Sequence, residues 1–198
     1  MSEDFNTRMT LLGRLRNKHD ESAWQEFVFF YKQYINAILY RMGVQNSDVE
    51  DQAQKVLLAL WEKLPDFDYQ PQNCKFRTWM SRIIRNKVSH YFEKQKRYKN
   101  DLERAEFSQR NEQKSNEAEI YQVYEQEWKI HVANLAWENL SKDFSISALK
   151  CFEDLAKGKK ASELAEELDL KVNSVFVNRK RVQEAFHKEI RRLNEELS

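Results

Sequence analysis

The chain has few of the residues that end strands, form turns or build disulfide-stabilised domains. Its 198 residues include only 3 Gly, 2 Pro and 2 Cys. A fold with many strands needs more turn residues than this, so the shortage favours long helices. Cys74 and Cys151 lie far apart, with no Cys or His at metal-ligand spacing. We therefore expect reduced thiols rather than a disulfide framework or a structural zinc site.

Long apolar runs and enzyme motifs are also missing. No segment resembles a membrane span or a signal peptide, which predicts a cytoplasmic protein without membrane insertion. The chain has no HExxH, Gly-rich phosphate loop or nucleophile elbow, so we expect no catalytic residues, metal or cofactor. Asp48, Glu50 and Asp51 could imitate a metal cluster, but carboxylates near a helix N-terminus also complement the helix dipole. The interpretation as helix-start acids is preferred.

Charge is unevenly distributed although the net charge is only +1. Residues 75–99 hold nine Lys or Arg against one acid, and residues 171–192 hold seven against two. Residues 100–127, between these blocks, hold eight acids against three basic residues. Two basic blocks separated by an acidic stretch indicate two contacts with a polyanion, although each block alone could be an ordinary solvated helix face.

Apolar spacing predicts three helices in the first half of the chain. The first follows a capping signal at residues 20–22 and ends near Gly43. The second follows residues 46–48 and is stopped by Pro65. The third runs from about residue 76 to 96, and its polar side collects five residues that can bind phosphates and base edges. These five are Thr78, Arg82, Arg85, Asn86 and Ser89.

The second half contains a predicted helix-turn-helix. Apolar spacing resumes at Trp128, after a polar, acidic segment, and continues through a helix that ends at Gly158. Ser162 and Asn173 are predicted to cap two further helices on either side of a turn at residues 169–172. The second of these helices presents Phe176, Val177, Lys180 and Arg181 outward, as a recognition helix would. A plain helical hairpin is the alternative.

Three motifs in this order resemble the extracytoplasmic-function (ECF) subfamily of bacterial RNA polymerase sigma factors. They are DVEDQAQKVLLALWEKL at residues 48–64, FDYQPQNCKFRTWMSRIIRNKVSHYF at residues 67–92, and the terminal helix-turn-helix. The resemblance implies an all-α protein with a region 2-like helical bundle at residues 1–97. It also implies an acidic linker at residues 98–126 and a region 4-like helix-turn-helix domain at residues 127–198.

The resemblance implies three sets of binding residues. The set for the polymerase clamp is Asp48, Glu50, Asp51, Gln54, Leu57 and Trp61. The set for the promoter −10 element is Phe67, Thr78, Arg82, Arg85, Asn86, Lys87 and Lys94, with Phe67 and Asn86 cradling a flipped base. The set for the −35 element is Lys159, Lys160, Asn173, Ser174, Phe176, Val177, Arg179, Lys180 and Arg181. Arg179 is predicted nearer the buried seam, in contact with phosphate.

The implied function is promoter recognition and melting in transcription initiation. The implied partners are core RNA polymerase, through its clamp and flap, and promoter DNA. An anti-sigma factor is left open, and the free protein is expected to be a monomer. Three alternatives also remain open. Trp79 could pack in the core or stack on a base, Phe176 could meet a thymine methyl or the flap, and the chain could be a stand-alone regulator or a helical adaptor.

This sequence departs from the family pattern at several positions. Lys55 replaces the usual Glu, which puts the clamp contact in question, and Asp169 replaces a common turn glycine. Residues 89–91 replace an acid–Tyr pairing, and Phe176 and Val177 replace a polar pair, so a promoter sequence cannot be transferred from the family.

Overall fold

The computed structural model describes residues 7–67, 76–103 and 117–197, and the side chains of 11–67, 76–97 and 120–197. Within these ranges every regular element is helical, which confirms the all-α prediction. The helices are α1 (Thr7–Leu15), α2 (Glu21–Arg41), α3 (Val49–Lys63), α4 (Phe76–Glu103), α5 (Glu117–Leu140), α6 (Ile146–Ala156), α7 (Ala161–Glu167) and α8 (Val172–Leu197), with a 3₁₀ turn at Leu64–Asp66. None of these helices is both long and apolar enough to cross a membrane.

The chain divides into two compact units. The first comprises the described residues up to Lys129, and the second comprises Ile130–Leu197. The division falls inside α5 and therefore lies beyond residue 126, the predicted end of the linker. Both ends of that predicted linker are helical, because α4 continues to Glu103 and α5 begins at Glu117. Residues 104–116 of the linker lie outside the described residues.

Local signals explain where α2 and α3 begin and end. The backbone N–H of Ala23 donates to Asp20 Oδ1 over 2.9 Å, so Asp20 caps α2 as its position predicts. Gly43 follows α2 with φ +85°, a conformation that glycine adopts without steric cost. The 3₁₀ turn containing Pro65 follows α3, because proline lacks the N–H that would continue the helix.

Aromatic side chains dominate the core of the first unit. Phe27, Tyr34 and Phe76 are fully buried, and the Phe27 and Phe76 rings meet edge-on at 5.9 Å between centroids. Edge-to-face pairs stabilise a core by about 0.5–1.5 kcal/mol beyond the area they bury. These rings join α2 to α4, the two longest helices of this unit. The contact determines which face of α4 is buried and therefore which face is left on the outside.

Helix α1 was not predicted from the sequence. Its Leu11, Leu12 and Leu15 are buried, and Arg14 pairs with Asp20 and Glu26 at 3.0 Å each. The Arg14 hydrogen bond holds the pKa of Asp20 below its ordinary value. Leucines three and four residues apart are the signal that could have revealed this helix.

The second unit contains the predicted helix-turn-helix, with small shifts. Leu164, Ala165 and Val175 join Cys151 in one buried cluster that links α6, α7 and α8. Helices α7 and α8 begin at Ala161 and Val172, so Ser162 and Asn173 lie inside their first turns and do not cap them. Asp169, which stands where the family commonly has a turn glycine, has φ +51°. Aspartate is one of the few residue types that tolerate this conformation.

Candidate functional site

An apolar groove lies between α2 and α3. It is lined by Trp24, Val28, Gln54, Leu57, Leu58 and Trp61. Leu58 is 55% exposed and Trp61 is 36% exposed, whereas Leu57 is mostly buried in the unit. The structure therefore brings together Gln54, Leu57 and Trp61, all predicted clamp-binding residues. It adds Leu58, which lies four residues after Gln54 and could have been recognised from that spacing.

The three predicted acids of the clamp-binding set all have partners within the chain. Asp48 accepts a 2.8 Å hydrogen bond from the Tyr91 hydroxyl instead of capping α3. Glu50 pairs with Lys32 at 2.6 Å, and Asp51 pairs with Lys55 at 2.5 Å. Both ion pairs are half exposed, so each contributes little to stability and can exchange for another partner.

A polar groove separates Asp48 and Asp51 of α3 from α4. Lys87 and Lys94 line it, together with His90, Tyr91 and Gln95 of α4 and with Gln52 and Lys55 of α3. Burial raises the pKa of the Tyr91 phenol, and its hydrogen bond to Asp48 acts in the same direction. Lys87 and Lys94 therefore lie beside α3 acids and not on the face of α4 that carries Arg82 and Arg85.

The outer face of α4 carries the remaining predicted −10 residues of that helix. Arg82, Asn86 and Ser89 are exposed, and Thr78 and Arg85 are half buried. This arrangement agrees with the helical spacing that grouped these five residues. The face presents guanidinium, amide and hydroxyl groups, which can donate to phosphate oxygens and base edges.

An aromatic pair lies next to this face. The rings of Phe67 and Trp79 lie 4.3 Å apart at 31°, and Phe76 contacts both from the core side. Phe67 and Trp79 are each half buried. Trp79 therefore packs against core residues and still has an accessible part, which keeps base stacking open. Most of the loop expected to complete a base pocket, residues 68–75, lies outside the described residues.

The first unit is completed by residues 124–128 of α5, most of which the sequence assigned to the linker. The Tyr34 hydroxyl donates to the Tyr124 carbonyl over 3.3 Å, and the Trp128 ring meets the Tyr34 ring edge-on at 5.2 Å. Arg77 lies over the Trp128 ring at 4.8 Å and pairs with Glu125 at 2.9 Å. We call residues 124–128 the closing segment.

The closing segment also changes the electrostatics beside α4. Glu127, which is buried, accepts a 2.7 Å hydrogen bond from Arg41 Nε. Burial raises the pKa of Tyr124 well above its ordinary value, and the positive charge of Arg85 partly opposes that rise. The acidic closing segment therefore lies close to Arg85 and neutralises part of the positive charge around α2 and α4.

In the second unit, the start of α8 presents an exposed mixed surface. Phe176 is 47% exposed, Val177 48% and Val172 44%. The predicted −35 residues Asn173, Arg179, Lys180 and Arg181 are exposed as well, and Ser174 is half buried. The exposure of Arg179 is what a phosphate contact requires, and its predicted position nearer the seam stays a prediction. Val175 and Val182 face the opposite way and are fully buried.

The two predicted phosphate-binding lysines before α7 differ in their surroundings. Lys159 and Lys150 both pair with Glu167, and these two hydrogen bonds lower the pKa of Glu167 to about 2. Lys160 is 80% exposed and lies 4.0 Å from Glu163. Lys159 is thus held within its unit, while Lys160 remains accessible to a polyanion.

Comparison with known proteins supports the family prediction. Residues 30–98 match sigma-70 region 2. The ECF RNA polymerase sigma factor RpoE of Cereibacter sphaeroides is 29% identical over 79 residues, 40% of this chain and 42% of the relative. The ECF RNA polymerase sigma factor SigW of Bacillus subtilis is 35% identical over 69 residues, 35% of each protein.

The chain also aligns along most of its length with one chain of a solved structure, that of CnrH in complex with the cytosolic domain of CnrY. It is 21% identical, with 92% of this chain and 96% of that chain covered, and its TM-score is 0.36. A TM-score this low bears neither on the fold nor on a partner of this chain.

Over residues 30–98, the chain is similar to sigma-70 region 2. Both curated relatives are ECF sigma factors, the group that the sequence predicts, and that prediction is confirmed. The chain spans less than half the length of either relative it matches.

Proposed function

We propose that this chain is a sigma factor that directs bacterial core RNA polymerase to specific promoters and assists DNA melting. One observation carries the proposal: a sigma-70 region 2 segment at residues 30–98 is followed by a helix-turn-helix with a basic, exposed α8. A polymerase-binding module and a duplex-binding module in one chain are what promoter recognition requires. The chain itself performs no chemical step in this proposal, because core polymerase makes the RNA.

The apolar groove is the proposed contact for the polymerase clamp. A protein interface usually has an apolar centre with aromatic anchors and a polar rim. Leu58 and Trp61 supply the exposed apolar centre, and Glu50 and Asp51 supply acidic groups on the same helix. Lys55, which departs from the family pattern, pairs with Asp51. The pair is half exposed, so Asp51 stays at the surface and can exchange Lys55 for another partner.

The outer face of α4 is the proposed contact for the −10 element. Opening a duplex costs a few kcal/mol per extruded base unless the base finds a new site. Phe67 and Asn86 are proposed to provide that site, with Trp79 as the adjoining ring. Arg82 and Arg85 would hold phosphates there, and Lys87 and Lys94 would act from the polar groove.

The helix-turn-helix is the proposed contact for the −35 element and for the polymerase flap. Its recognition helix α8 would enter the major groove, and Lys160 would bind phosphate more readily than Lys159. The proposed function places the protein in the cytoplasm with the polymerase. Regulation by an anti-sigma factor and a monomeric free state stay predictions.

Run-off transcription with core polymerase from a bacterium tests the proposal. The full chain should convert promoter-blind core polymerase into an enzyme that starts at defined sites in a genomic or randomised template pool. Core polymerase alone is the control. Specific operator binding by the chain without polymerase would instead establish a stand-alone regulator. If the chain binds neither core polymerase nor duplex DNA, a helical adaptor replaces the sigma factor as the interpretation.

The role of Asn86 in melting has its own test. Asn86→Ala should reduce open complexes on a fully duplex promoter, and a promoter already melted at the −10 element should be much less affected. The two templates serve as matched controls for protein quality, because both use the same variant preparation. Equal losses on both templates would assign Asn86 to general DNA binding and not to melting.

A further inference from the structure

An exposed apolar pair occupies the first two turns of the recognition helix. Phe176 and Val177 each leave about half of their surface in solvent, although the neighbouring Val175 is fully buried. One side of the helix is therefore well packed. Packing does not require the residues on the other side to be apolar. Adjacent large apolar side chains that a well-packed unit leaves exposed together indicate an intermolecular contact, whereas single exposed ones are ordinary.

The surroundings of this pair indicate what the contact is. Lys171, Arg179, Lys180 and Arg181 are all exposed around it. The first turn of α8 contains no acid, and the closest carboxylate to Lys180 is that of Glu184, at 3.8 Å and largely exposed. An apolar centre inside a basic rim complements a DNA groove, which has phosphates along both edges and base edges on its floor.

We propose that Phe176 and Val177 bind the C5 methyl groups of thymines in the major groove, so that thymine content determines the preferred −35 sequence. This inference rests on the proposed function, because it requires α8 to enter a groove of promoter DNA. The inference goes beyond the proposed function because it names the chemical group that the helix recognises.

The choice of thymine follows from the chemistry of the base edges. In the major groove only thymine presents a methyl group, whereas guanine, cytosine and adenine present hydrogen-bonding groups without a methyl beside them. Phe and Val side chains have no donor or acceptor, so they would desolvate those polar groups without replacing their hydrogen bonds. A thymine methyl loses nothing on being covered and gains an apolar contact.

Deoxyuridine tests this inference because it differs from thymidine only by lacking that methyl group. Holoenzyme reconstituted from the full chain and core polymerase first selects its preferred upstream sequences from a library randomised at the −35 position. Each thymine of the selected sequence is then replaced singly by deoxyuridine, and promoter binding is measured by competition. We expect at least one replacement to weaken binding about fourfold, the ratio that corresponds to burying one methyl group.

Phe176→Ala and Val177→Ala connect the methyl group to the side chain. Each variant should bind the thymine promoter more weakly, and for at least one of them the deoxyuridine replacement should have no further effect. Ile146→Ala is the matched control, since Ile146 is 84% exposed in the same unit but lies on α6. It should retain the full deoxyuridine effect. Both positions on α8 are exposed, and circular dichroism checks that the variants fold.

Three results would overturn the inference. The selected sequence could lack thymine, or deoxyuridine could leave binding unchanged at every position. Alternatively, Phe176→Ala could weaken binding to core polymerase in the absence of DNA as much as it weakens promoter binding, which would assign the pair to a protein surface. Failure of the proposed function is a different result: the chain would then not bind core polymerase or select any upstream sequence.

Discussion

The two units are held together by contacts that differ in sequence separation. In the first unit, Tyr34 bonds to Tyr124 and Arg41 bonds to Glu127, across 90 and 86 positions. In the second unit, Asn139 bonds to Glu189 across 50 positions, and Glu167 joins Lys150 and Lys159, which are 17 and 8 positions away. The second unit is therefore held by contacts of shorter sequence separation, whereas the first unit depends on a segment at the end of the acidic stretch.

This difference affects how each proposed binding surface responds to mutation. Ordering a distant segment requires closing a long loop, and the entropy of that closure must be offset by the contacts made. A loss of contacts in the closing segment should therefore release the whole segment and weaken the packing of α2 and α4. Damage in the second unit should remain within α6, α7 and α8.

The largest expected effect is that of Trp128→Ala. Trp128 is 2% exposed and contacts Tyr31, Tyr34 and Arg77, so its removal should lower the free energy of unfolding of the first unit by about 3–5 kcal/mol. Hydrogen exchange should show faster opening of α2 and α4 and unchanged α7. Tyr121→Ala, at a 58% exposed position of the same helix, is the control. Faster exchange in α7 would break the proposed independence of the units.

The second effect concerns the apolar groove of the first unit. Leu58→Asp places a charge at its exposed centre and should weaken binding to core polymerase at least about tenfold, because burying a leucine stabilises by about 1.5–3 kcal/mol. Competition binding measures the loss. Phe29→Asp is the matched control, since Phe29 is 67% exposed on α2 and lies outside the groove. If both variants bind core polymerase with equal affinity, the clamp does not bind at the apolar groove.

A smaller effect is expected from Tyr91→Phe. The Tyr91 hydroxyl joins α4 to Asp48 at the start of α3, across 43 positions. Its loss should lower the free energy of unfolding by about 1 kcal/mol, the typical contribution of one such hydrogen bond. Urea unfolding measures it, with Tyr40→Phe at a 63% exposed position as the control. No difference between the two variants would show that this distant bond adds nothing to the first unit.

The smallest effect is the pH dependence of the second unit. The lysines lower the pKa of Glu167 from its ordinary 4.5 to about 2 in the folded state. A carboxylate with a lowered pKa stabilises the fold above its unfolded pKa, and the contribution is lost as pH falls through the folded pKa. Stability of α6 and α7 should therefore decline slightly between about pH 4.5 and 2. Glu167→Gln should remove this part of the decline, and an unchanged profile would mean that the pairing is not maintained in solution.

Much of both units could be predicted from local signals. The cap at Asp20, the turn at Gly43 and the stop at Pro65 depend only on neighbouring residues, and all three appear in the structure. Helical spacing also grouped the outer face of α4. Helices α7 and α8 begin one residue before the predicted caps Ser162 and Asn173, a shift within the usual variation of helix ends.

What the sequence determined by itself was most of the helices apart from α1 and the start of α5, the apolar face of each predicted helix, the helix-turn-helix and the family resemblance. Only the tertiary structure decided which faces meet. It placed Lys87 and Lys94 beside the acids of α3, engaged Lys159 with Glu167, and inserted Trp128 of the closing segment into the first unit. Periodicity gives the direction of a side chain around its own helix axis. The partner it finds depends on how distant helices pack, and no local pattern encodes that.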